Sequence, residues 1–133
     1  MKTGVLFNGT ELTGSFVYSD AIEHGDDKIE LHVIYDPDEG ASSGRGADLI
    51  LQVADVNSPA TADWIQVGEI SSTSGTLTFT PRDLLVLTTG AGTLKKAVWI
   101  ENIQGRYFRV GIKEASVSSD YGNITVTYHT RKA

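Results

Sequence analysis

Apolar and polar residues alternate with period two along most of this chain. Residues 28–36, KIELHVIYD, give the cleanest case: Ile29, Leu31, Val33 and Tyr35 alternate with Lys28, Glu30, His32 and Ile34, the mark of a strand buried on one face. Residues 47–54 repeat the pattern with Leu49, Leu51 and Val53 on one side, and residues 123–130 set Ile124, Val126 and Tyr128 against Thr125, Thr127 and His129. The segments 14–19 (GSFVYS), 63–70 (DWIQVGEI) and 76–80 are further predicted strands, the last two joined by a turn at 71–75. Residues 1–12 have no sustained periodicity and read as an N-terminal arm or a short edge strand.

The densest stretch is 97–113, AVWIENIQGRYFRVGIK. Two runs of β-branched and aromatic residues flank Gly105, which predicts a β-hairpin or a tight β-corner. Phe108, Val110 and Ile112 form its apolar face, with Tyr107, Arg109 and Gly111 opposite. Residues 37–46, 55–62, 90–92 and 116–122 collect Pro, Gly, Ser and charge and read as loops. One helix-start signal is present: Thr80 as N-cap, Pro81 at the first helical position and Asp83 three residues beyond the cap. The β-branched residues that follow limit any helix to about two turns.

Turn signals spaced about 8–12 residues apart, and about eight or nine short strands, predict an all-β fold, an antiparallel β-sandwich or barrel. No repeat or linker divides the chain, so 13–130 reads as one domain behind the 1–12 arm. At 133 residues, such a domain buries roughly two-thirds of its unfolded surface. With no cysteine, its stability must come from packing rather than disulfides, and thiolate metal sites are excluded.

Seventeen acidic against eleven basic residues give a net charge of -6, which disfavours nucleic acid and anionic membranes as partners. Near the N-terminus only Val5, Leu6 and Phe7 form an apolar run, far short of a signal-peptide core or a membrane span. The chain therefore reads as soluble and without its own export signal. The sequons at Asn8 and Asn123 accordingly read as chance matches.

Catalytic chemistry finds little support. His24, His32 and His129 lie far apart, none at a metal-motif spacing, and read as solvent-facing turn or strand residues. The serines cluster in turns, where backbone hydrogen bonding accounts for them. The acidic run 36–40, DPDEG, has carboxylates at alternate positions but lacks the later ligands of a calcium loop. The glycine-rich GASSGRG and TTGAGT lack the Lys-Ser/Thr ending of a phosphate loop. Trp64 and Trp99 lie among apolar neighbours and are expected to pack in the core, Trp64 between the two sheets. Arg106 and Arg109 flank two aromatic residues and are expected to cover a sheet face with their stems.

The order of GSFVYSDAIEHGDDKIELHVIYDPDEG, ADLILQVADVNSPATADWIQV, GRYFRVGIKE and GNITVTY resembles the small jelly-roll virion proteins of tailed phages and prophages. The matching positions are 29–35, 49–53, Trp64 and 106–110, within a likeness that spans roughly residues 13–130. The resemblance implies an antiparallel β-sandwich of jelly-roll type and a structural role in the virion. That role is a capsid decoration or auxiliary (cement) subunit, or a small tail or baseplate component. It further implies a homotrimer bound to the major capsid protein or another virion protein, made in the host cytoplasm, with no enzyme activity, cofactor or metal. The Trp-then-Arg-Tyr-x-Arg-Val order is also similar to discoidin-like and galactose-binding-like modules, whose implication is carbohydrate binding. On either reading Trp64, Arg106 and Arg109 are the candidate ligand or interface residues.

Overall fold

Alternation of apolar and polar side chains places a strand with one face inward, and the computed structural model realises this in two antiparallel sheets. It describes residues 1–36, 45–56, 59–73, 76–81, 85–89, 93–101, 105–114 and 122–132. Twelve strands lie among them: β1 (Lys2–Glu11), β2 (Val17–Tyr18), β3 (Ile22–Glu23), β4 (Lys28–Asp36), β5 (Arg45–Ala54), β6 (Ile65–Gln66), β7 (Gly68–Thr73), β8 (Thr76–Pro81), β9 (Leu85–Thr89), β10 (Leu94–Ile100), β11 (Tyr107–Glu114) and β12 (Asn123–Arg131). The count exceeds the expected eight or nine because the chain breaks into two-residue strands at β2, β3 and β6.

The first sheet has the order β1-β12-β4-β10. The second runs β2-β11-β5-β6, with β3 also on β11 and β9 also on β5, while β7 and β8 pair with each other. The chain therefore shuttles between layers, so that β4, β10 and β12 sit in the first sheet and β5, β9 and β11 in the second.

Between the layers lies the core predicted from period two. Ile29, Leu31, Val33 and Tyr35 of β4 meet Leu49 and Leu51 of β5, Phe108, Val110 and Ile112 of β11, and Ile124 and Val126 of β12, all at most 1 % exposed. Hydrogen bonds also join the layers here: the Tyr35 hydroxyl of β4 donates to Glu114 Oε1 of β11. The other carboxylate oxygen accepts from the Gly122 amide at 3.3 Å, so this nearly fully buried acid is tied to both sheets.

Four expectations change. Of the hairpin or tight β-corner expected around Gly105, the hairpin does not form: β10 pairs with β4 in one sheet and β11 with β5 in the other. Gly105 has a φ of 114°, where a side chain is strained, and it stands where the chain crosses between layers. The segment after Pro81 does not form the expected helix, since Leu85–Thr89 pairs with β5 and Thr80 and Pro81 belong to β8. The remaining helix-start residues, Arg82 and Asp83, lie outside the described residues. The first segment, expected as an arm or a short edge strand, is an edge strand but not a short one: β1 spans ten residues, seven of them in register with β12, with two register shifts and Gly9 at a φ of 59°. Trp99, expected in the core, points outward from β10 and is 61 % exposed.

The acidic run beyond Asp36, residues 40–44 and 90–92 of the two glycine-rich segments, and loop 116–121 also lie outside the described residues.

Candidate functional site on the outer face of the second sheet

Strand β11 presents Phe108, Val110 and Ile112 to the core, which sends Tyr107, Arg109, Gly111 and Lys113 to the outside. In β5, Leu49 and Leu51 point inward and leave Gln52 on the outer face. Arg109 and Gln52 are cross-strand partners, and Gln66 of β6 lies opposite Gln52 in turn. These three polar residues thus form a row across three strands.

Arg109 is the centre of the site. Its Nε donates to Gln52 Oε1 at 2.7 Å. Its Cζ lies 3.9 Å from the centroid of the Tyr18 ring and 4.6 Å from that of Trp64, so two aromatic rings pack on one guanidinium. Burial lowers the Arg109 pKa from its ordinary value, opposed by the Tyr18 oxygen.

The chain is shaped to hold this stack. Gly111 stands opposite Tyr18 in the ladder, and a Cβ there would meet Tyr18 Cε1 at 2.8 Å and Ile50 Cγ1 at 3.0 Å. Only glycine lets the Tyr18 ring lie flat on the sheet beside Arg109. Trp64 reaches the stack because the Thr61–Asp63 3-10 turn ends at it, immediately before β6. The Asp63 carboxylate steadies that turn by accepting from the Ala60 amide at 2.7 Å.

Of the three candidate residues, the fold joins Trp64 and Arg109 and sets Arg106 apart. Trp64 is half-buried on the outside of the second sheet, contrary to its expected place between the sheets. The reason is alternation: Val67 packs against the core, while Trp64 lies on the side of the Arg109 row. Arg106 forms a second cluster with Glu23, its Nε and Nη2 both 3.1 Å from Oε1, and its Cζ lies 5.8 Å from the Tyr107 ring. Farther along β11, Lys113 lies 5.0 Å from the Phe16 ring.

Sequence reasoning missed Tyr18, Gln52 and Gly111. Their positions depend on pairing between β2, β11 and β5, which alternation within one strand does not reveal.

His24 also departs from expectation. It is buried rather than solvent-facing, lies 5.3 Å edge-on to Phe108, and its ring nitrogens have no hydrogen-bond partner among the described residues. Burial lowers its pKa, with a smaller opposing influence from Asp26. Asp26 is held below the usual carboxylate range, chiefly by the Thr130 hydroxyl that donates to it at 2.8 Å. No cluster of three or more metal-ligating side chains occurs among the described residues.

No protein-family model matches this chain, and no curated protein matches it in sequence.

Proposed function

We propose that the chain is a jelly-roll structural subunit of a tailed-phage particle, a capsid decoration or cement protein or a small tail or baseplate component, that works as a homotrimer. The observation carrying this reading is strand order. Taking β2 with β3 as one position, and omitting β6 and the separate β7 and β8 pair, gives β1, β2/β3, β4, β5, β9, β10, β11 and β12 in chain order. The sheets then read first-eighth-third-sixth and second-seventh-fourth-fifth. Two interlocked Greek keys produce that order in an eight-stranded jelly roll. It agrees with the likeness to virion jelly rolls at 29–35, 49–53, Trp64 and 106–110.

Surface chemistry adds support. Val5, Ile34 and Trp99 lie on the outside of the first sheet at 59 %, 39 % and 61 % exposure, apolar surface that an assembly would cover. In the proposed particle the partners are further copies of this chain and the major capsid protein or another virion protein. The test is quantitative mass spectrometry of gradient-purified particles of the phage that encodes the chain. A fixed copy number relative to the major capsid protein is expected, and absence from the particles would reject the role.

A second reading has one specific observation in its favour. Trp64, Tyr18, Arg109 and Gln52 converge on one sheet face, combining aromatic rings with hydrogen-bond donors and acceptors as a carbohydrate site does. Binding on a glycan array that is lost in Trp64→Ala would favour this module over the virion subunit.

A further inference from the structure

Arginines on an acidic protein find carboxylates readily, and two of the three whose side chains are described have done so. Arg106 pairs with Glu23 at 3.1 Å and Arg131 with Glu30 at 2.7 Å. Arg109 has no carboxylate among the described residues; its charge is met by the neutral Gln52 amide and two aromatic rings. Both rings pack on the guanidinium and Gln52 takes Nε, and the terminal Nη groups have no hydrogen-bond partner among the described residues, which leaves that pair to a ligand. A planar fork of donors held in a fixed orientation fits the two oxygens of a carboxylate.

We propose that Arg109 is the anion-recognition residue of an interface, and that its ligand is an acidic side chain from a second copy of this chain. Charge complementarity argues for that occupant. The match is local and works against the mutual repulsion of two chains each at -6: the exposed carboxylates of Glu11, Asp20 and Asp55 have no ion-pair partner among the described residues. A contact joining the Arg109 face of one copy to an acidic element elsewhere on the next is head-to-tail, and such contacts close into rings such as the proposed trimer. Tyr18, Trp64, Gln52 and Gly111 are positioning residues that hold the fork before the neighbour arrives, which reduces the ordering cost of association.

This rests on the reading of the chain as an assembling subunit, yet the two can fail separately: particle composition tests that reading, whereas an oligomer indifferent to Arg109→Gln fails this inference alone. Sedimentation equilibrium of the full chain is measured for the native protein, Arg109→Gln and Arg109→Lys, with circular dichroism and thermal melts to verify folding. The native protein is expected to give a mass about three times the 14.3 kDa chain, with association weakening as salt is raised from about 0.05 M to 0.5 M. Arg109→Gln should weaken association at least about tenfold, and Arg109→Lys should recover only part of that loss because it keeps the charge without the fork. Arg109→Glu should regain association when mixed with one of Glu11→Arg, Asp20→Arg or Asp55→Arg, and that variant identifies the partner carboxylate. A monomer at every concentration and salt, or an oligomer indifferent to Arg109→Gln, would overturn the proposal. A monomer that binds uronate-bearing glycans through Arg109 would overturn it in favour of an acidic saccharide.

Discussion

At the residue scale, His24 and Gly111 occupy positions that ordinary solvent-facing roles do not explain. His24 is buried beside Phe108 without a hydrogen-bond partner for its ring among the described residues, and desolvation disfavours its charged form. The unfolded chain therefore binds the proton first, at about pH 6.5, while the folded chain resists it. Stability from this source is complete above that pH and is lost as pH falls through the lowered folded value. Denaturant melts of the native protein should weaken on acidification across that window, and His24→Phe should flatten the dependence there while matching or exceeding native stability at pH 7. The Asp26 carboxylate, held down by Thr130, adds a loss of the same sign at lower pH, so the His24 effect is read above the carboxylate range. Gly111 gives a second test. Its replacement by alanine drives a methyl against Tyr18 and Ile50 and should cost about 1–3 kcal/mol, and a double-mutant cycle with Tyr18→Ala should recover much of it. A fully additive cycle would show that the ring contact is not the cause.

Elements explain why some readings from sequence hold and others do not. Strand faces were legible in β4, β11 and most of β12, because a strand between its neighbours in a two-layer sandwich must alternate, and Ile29 to Tyr35 do so without a break. Pairing was not legible. The β10 and β11 runs carry the same composition as a hairpin, yet each finds a better partner in a different sheet, and nothing local to Gly105 encodes that choice. Trp99 was misread for a related reason: β10 lies at an end of its sheet order, where an apolar residue on the outer face meets no covering element among the described residues. Trp99→Ala should accordingly change stability by no more than about 0.5 kcal/mol. Trp64→Ala should cost about 1–2 kcal/mol, less than a core tryptophan, since it forfeits a cation–π stack and partial burial. Denaturant titrations of both variants decide the order, and a larger loss at Trp99 would contradict the outward placement. The candidate site was half legible: Trp64 and Arg109 stood out by residue type, whereas Tyr18 and Gln52 join them only through β11 pairing with β2 and β5.

For the whole molecule, the two-layer order supplies a packed core and two outer faces of different character. The first sheet exposes Val5, Ile34 and Trp99, and the second carries the Arg109 stack. A two-sheet sandwich built this way presents two separate outer surfaces, which the proposed assembly would use to join neighbours. The edges of the first sheet are partly guarded: β1 has register shifts on either side of Phe7, and β10 carries Lys95 and Lys96. Face contacts are therefore favoured over strand addition at these edges. The most direct test of the central claim, that the chain is a subunit of a tailed-phage particle, is a cryo-electron-microscopy reconstruction of particles of the phage proposed to encode it. The account predicts density for this two-sheet fold on the shell, tail or baseplate, grouped in threes. Particles complete at high resolution with no density matching the fold would contradict it.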